Sequence, residues 1–163
     1  MQVKVLKNGF RMEDAYNRLM KRSKKFTIEN MDLIFYPYLM IDYRIDMGKK
    51  LERLNETAIC MVDMFRTEYS IAKSRGEYKT LDVEEELLIP AKADRKTVIK
   101  KGPSHICGEI MAKKRVIRIP DIVYEKDELI YKPFFVVECK NDEEETFHIL
   151  FDAVTGDFSL LNA

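Results

Sequence analysis

The chain has 163 residues, 46% of them apolar, with 28 Lys and Arg against 28 Asp and Glu. A formal charge of zero excludes a bulk nucleic-acid neutraliser, and eight Tyr and nine Phe in so apolar a chain exclude wholesale disorder. No apolar run approaches the ~20 residues that span a bilayer, and the longest, Leu33 to Ile41, contains Pro37.

Met1 to Asn8 alternates apolar and polar residues, with no apolar signal core, so a cytoplasmic location is the expectation. Gln2 to Leu6 reads as a short strand, followed by an Asn8-Gly9 turn. Met12, Ala15, Tyr16, Leu19 and Met20 fall on one face of a helix that ends in Lys21-Arg22-Ser23-Lys24-Lys25. Leu33 to Arg44 reads as a strand region, interrupted by Pro37 at a strand start, bulge or edge. A polar loop over Asp46 to Asn55 leads to strands at Thr57 to Asp63 and Glu68 to Ala72. Residues 73–90 are strongly charged and read as a connector, with one helical turn near Asp82 to Leu88. Ala91 to Lys101 is helical by propensity, Gly102-Pro103 is expected to break it, and Ser104 is expected to cap a second helix through Arg115. Strands follow at Val116 to Tyr124, Leu129 to Lys140, Thr146 to Asp152 and Asp157 to Leu161.

The chain also repeats itself. Asp32-Leu-Ile-Phe-Tyr-Pro-Tyr-Leu-Met-Ile-Asp42 matches Glu128-Leu-Ile-Tyr-Lys-Pro-Phe-Phe-Val-Val-Glu138 at an offset of 96. Glu56-Thr-Ala-Ile-Cys-Met-Val-Asp63 matches Glu145-Thr-Phe-His-Ile-Leu-Phe-Asp152 at an offset of 89. The fold class expected is therefore α+β, with two similar units, each a helix packed on an antiparallel β-meander, sharing a core or sheet. Their expected extents are 1–72 and 91–163, with 73–90 between them.

Within the second copy, Tyr131-Lys-Pro-Phe-Phe-Val-Val-Glu-Cys139 and Phe151-Asp-Ala-Val-Thr-Gly-Asp157 resemble a PepSY-type repeat, a small cystatin-like α+β module. The resemblance implies a tight turn at Thr155-Gly156, with Asp152 bonding backbone amides across it. It also implies a link to binding or inhibiting peptidases and to cell-envelope proteins. Asp63-Met-Phe-Arg-Thr67 has no Gly, so the corresponding turn of the first copy is expected to differ.

The chemistry-bearing residues are sparse. Cys60, Cys107 and Cys139 are odd in number and match no metal or redox spacing, which favours reduced, buried thiols. His105-Ile-Cys107 and His148 announce no metal centre or nucleophile, and Lys100-Lys-Gly-Pro-Ser104 lacks phosphate-loop spacing. The acidic runs Glu84 to Glu86 and Asp142 to Glu145 read as solvated turns. The reading is thus non-enzymatic, with no cofactor, no metal and no catalytic residue. The binding candidates are the aromatic residues Tyr36, Tyr38, Tyr131 and Phe134 and the basic residues Lys21, Arg22, Lys113 and Lys114. Strand addition or the aromatic strip would meet a protein or peptide, including a second copy in a homodimer. Two alternatives stay open: a small-ligand protein or enzyme with a pocket between helix and curved sheet, and weak nucleic-acid binding through the basic clusters.

Overall fold

The alternation of Gln2–Leu6 forms strand β1, and the apolar stripe of Met12–Arg22 forms helix α1, with Glu13 and Asp14 in its first turn and Lys21 and Arg22 in its last. The computed structural model describes residues 1–22 and 25–161; Ser23 and Lys24 of the expected basic end lie outside the described residues. Strand β2 runs through Phe26–Asp46, and a 3₁₀ helix at Lys49–Leu54 leads to β3 (Glu56–Asp63) and β4 (Glu68–Ala72). Strand β5 (Tyr78–Asp82), a 3₁₀ turn at Glu85–Leu87 and helix α2 (Arg95–Lys114) follow. Strands β6 (Asp121–Asn141), β7 (Thr146–Asp152) and β8 (Phe158–Leu160) complete an α+β fold that is mostly sheet with a few helices.

The chain divides into two compact units, each assembled from separated stretches. The α1 unit takes Met1–Tyr36, Glu77–Ile89 and Tyr131–Ala163; the α2 unit takes Pro37–Gly76 and Pro90–Ile130. In the α1 unit, β8 pairs with β7 and β7 with β6, while β1 pairs antiparallel with β5 and touches β6 through Val5 and Tyr131. Its core sets Ala15 and Leu19 of α1 against Phe135, Val137, Cys139, Ile149, Phe151 and Ala153. In the α2 unit the strand order is β4-β3-β2-β6. Its core sets Val98, Ile106 and Ile110 of α2 against Leu39, Ile41, Tyr43, Ile45, Cys60 and Val62. Each helix thus covers fully buried strand residues from the other half of the chain, while the strand that follows it supplies only partly buried residues, Phe26 to Leu33 of β2 for α1 and Ile122 and Leu129 of β6 for α2. An apolar stripe needs an apolar sheet face, and adjacency in sequence does not decide which face that is.

The ladders are closely specified. Tyr38 faces Asp63, and the β2–β3 register continues to Ile45 opposite Glu56. Phe134 faces Asp152, and the β6–β7 register continues to Lys140 opposite Thr146. Neither proline breaks its strand. Pro37 and Pro133 lie just beyond these ladders, where their carbonyls accept from the backbone N–H of Met64 and Ala153, both at 3.1 Å.

Three expectations need correction. First, α2 is one continuous helix with Pro103 inside it. Proline removes the N–H that would bond the carbonyl of Ile99, four residues earlier. The phenol of Tyr43 donates to that carbonyl at 2.6 Å and takes the missing role. Gly102 makes room, since a Cβ there would collide with the Tyr43 ring. Second, the turn after Asp63 matches the one after Asp152. Asp63 Oδ1 accepts from the N–H groups of Phe65 and Arg66 at 2.9 and 2.8 Å, and Asp152 Oδ1 from those of Val154 and Thr155 at 2.8 and 3.1 Å. Thr67, at φ 60°, adopts the left-handed conformation that Gly156 holds at φ 82°. Third, the two strands expected over Val116 to Tyr124 and Leu129 to Lys140 are one, β6, which begins only at Asp121, so Val116 to Pro120 is irregular, with Ile117 98% and Ile119 75% exposed.

Candidate functional site

Asp94 starts α2 by accepting from the N–H and hydroxyl of Thr97 at 3.0 and 2.7 Å; these bonds hold its carboxyl below its usual range. The helix then runs past β3 and β4 until Arg115 ends it in a left-handed conformation. Its last turns are tied to the start of β3. Lys114, with a side chain only 8% exposed, reaches Glu56 at 3.3 Å and also donates to the carbonyl of Leu54. Lys113 reaches the same Glu56 at 3.8 Å.

Between this helix end and the sheet lies a groove of about 330 Å³. Ala58, Ile59, Ile71, Ala72 and Ile110 supply its apolar surface, and Glu56, Glu109, Lys73 and Lys113 supply charges of both signs. The last β3–β4 pair is Ile59 with Ala72. Glu56, Thr57 and Ala58 of β3 therefore extend beyond β4, with β2 on their other side. Among the described residues no strand pairs with that outer edge. The groove is thus a strand-wide gap with a helix as its second wall.

Cys60 lies in the core of the same unit. Burial pushes its thiol up to about 12, the Glu109 carboxylate adds to the rise, and a backbone hydrogen bond with Ser70 opposes it. A thiol so held is neutral and a poor nucleophile. His105 stacks on Tyr69 with ring centroids 3.9 Å apart and planes 5° from parallel. Cys107 Sγ lies 3.8 Å from Met111 Sδ, so the two side chains of the His-x-Cys pair engage different neighbours. The cysteines are free thiols, and the described residues contain no group of three or more His, Cys, Asp or Glu that could hold a metal. Among the described residues no helix is long and apolar enough to cross a membrane.

The eight candidate residues are distributed over both units. Tyr36 and Phe134 meet edge to face at 5.9 Å. Lys132 lies over Phe134 at 5.5 Å and pairs with Asp152 at 2.7 Å. Tyr131 is 8% exposed, and burial raises its pKa, so it belongs to the core rather than to a stacking surface. Tyr38 borders a second depression of about 200 Å³, beside Asp63, Glu68 and Tyr69. Lys21 and Arg22 are exposed, and Arg22 lies over Phe158 at 5.8 Å. Only Lys113 lines the larger groove, while Lys114 braces it from beneath. Sequence reasoning missed Ile59, Ala72 and Glu109. Ile110 and Lys113 fall within the helix expected over Ser104 to Arg115, but Ile59 and Ala72 join them only through the β3–β4 pairing, which carries no signal in the sequence.

The chain matches no family model, curated protein or solved structure with which it was compared.

Proposed function

We propose that the protein is a non-enzymatic peptide- or protein-binding module, built by duplication of a PepSY-like α+β unit, and that the groove of the α2 unit takes an extended segment of a partner protein by strand addition. The observation that carries this reading is the open edge of Glu56 to Ala58 beside an apolar groove with a helical wall. A peptide there would continue the line of β4, bond to the β3 backbone, and set an apolar side chain over Ala58 and Ile110. Mixed rim charges suit a peptide better than a polyanion, since Glu56 and Glu109 oppose the field of Lys73 and Lys113.

Duplication draws support from the two ladders. The β2–β3 pairs from Tyr38–Asp63 to Arg44–Thr57 map onto the β6–β7 pairs from Phe134–Asp152 to Lys140–Thr146 under the same offsets of 96 and 89 as the sequence repeat. The chain entering each helix matches as well: Gly9 and Phe10 both donate to the Ala153 carbonyl, and Lys92 and Ala93 to that of Met64. The helices differ, with 11 residues in α1 and 20 in α2, and the groove is walled by the extra turns of α2. In this reading, binding arose in one unit after the copies diverged.

The test is a display selection of linear peptides against the intact chain. Binders should lose at least tenfold in affinity to the groove-filling variant Ala72→Trp, and to N-methylation at alternate peptide positions. Binders indifferent to both changes overturn the reading. The groove volume also favours a second reading, a small-molecule site. Peptide selection would then fail, while a metabolite thermal-shift screen would give a stabilisation that Ala72→Trp removes.

A further inference from the structure

We propose that the two halves of the chain, residues 1–76 and 77–163, are each other's binding partners, and that their covalent connection is dispensable for assembly. The basis is the reciprocal make-up of the two cores. The α2 unit closes when Val98, Ile106 and Ile110, from the second half, cover Leu39, Ile41, Tyr43 and Ile45, from the first. The α1 unit closes when Ala15 and Leu19, from the first half, cover Val137, Cys139, Ile149 and Phe151, from the second. Separated, each half keeps a helix without the fully buried sheet residues it covers and a buried sheet face without its helix.

The polar contacts obey the same reciprocity. The N–H groups of Gly9 and Phe10, entering α1, reach the Ala153 carbonyl of the second half at 2.8 and 2.9 Å. Those of Lys92 and Ala93, entering α2, reach the Met64 carbonyl of the first half at 2.8 and 2.9 Å. Tyr43 bonds to Ile99 at 2.6 Å, and Arg75, beside the connection, pairs with Glu128 at 3.4 Å. The connection lies outside both cores, and Glu77 is itself held across the halves by Lys7, through a backbone bond at 2.9 Å and an ion pair at 3.0 Å. Gly76 is exposed, with φ 71°, so the chain can be opened there without touching either core.

A specific protease site inserted between Gly76 and Glu77 of the full chain tests this. After cleavage, the two fragments should elute together at the volume of the uncut protein with an unchanged circular dichroism spectrum. The melting temperature should become dependent on protein concentration. Fragments that elute separately, or one that keeps a cooperative melt alone, overturn the proposal. If the insertion itself prevents folding, co-expression of residues 1–76 and 77–163 from two genes decides: recovery as a one-to-one complex supports the proposal, and failure to co-purify overturns it.

Discussion

The continuity of α2 through Pro103 rests on Tyr43, and that dependence can be measured. Tyr43 is fully buried, and its hydroxyl serves a carbonyl that the helix cannot serve. Tyr43→Phe removes the donor while keeping the ring, and leaves the Ile99 carbonyl without its bond. Such a loss costs about 1–3 kcal/mol. Pro103→Ala restores a backbone N–H four residues after Ile99, so the helix can satisfy that carbonyl itself. In the Pro103→Ala background, Tyr43→Phe should therefore cost less than about 0.5 kcal/mol. The coupling between the two sites should be roughly 1–2 kcal/mol. Urea unfolding of the four proteins, followed by circular dichroism, gives each term. Equal costs of Tyr43→Phe in the two backgrounds would refute the idea that the phenol replaces the lost amide.

Other consequences can be checked with the same protein. Gly156→Ala should destabilise by about 2–4 kcal/mol in denaturant unfolding, because its φ is 82° and its Cβ would lie 2.5 Å from Phe10 Cζ. Thr67→Gly should leave stability unchanged or raise it by up to about 1 kcal/mol, since glycine relieves a threonine held at φ 60°. In a thiol-reagent time course on folded protein, half-buried Cys107 should react first, with Cys60 and Cys139 reacting only on unfolding. Burial raises Cys60 from 9.0 to about 12 and Cys139 from 9.0 to about 11, so the folded state holds these protons more tightly than the unfolded chain. Their stabilisation is complete below pH 9 and declines above it, by roughly 2 kcal/mol per thiol at pH 10.5. Tyr43, raised by burial, adds to the decline above pH 10. A melting temperature that stays level from pH 8 to 10.5 would contradict this.

How much was legible in the sequence depended on how local each determinant is. Helix α1 and strands β3, β4 and β7 follow from periodicity, although on α1 Ala15 and Leu19 are buried while Met12 and Tyr16 of the same expected face are exposed. Strand β5 is largely exposed, and Tyr78-Lys-Thr-Leu-Asp82 carries too little apolar contrast to stand out from the charged connector. The sequence reads α2 as two helices because the residue that mends Pro103 is Tyr43, a long way back along the chain. Thr67 shows the converse: the Asp63 carboxylate organises the turn strongly enough that no glycine is required. The groove was illegible for another reason. Its helical wall, Glu109, Ile110 and Lys113, falls within the helix expected from Ser104, but its second wall and its open edge depend on where β4 stops against β3.

The exchange of helices between the halves also bears on how the protein is made. Leu19 must wait for Phe135 and Phe151 before it can be covered. At ~5–20 residues per second, translation leaves that apolar stripe exposed for roughly 6–26 s after it is synthesised. The β2–β3 face waits in turn for Ile106 and Ile110. Neither core can close vectorially behind the ribosome, and the search for partners distant in sequence falls late and together. Folding should therefore be slow for a chain of this size, governed by long-range pairing, and sensitive to holdase chaperones during synthesis.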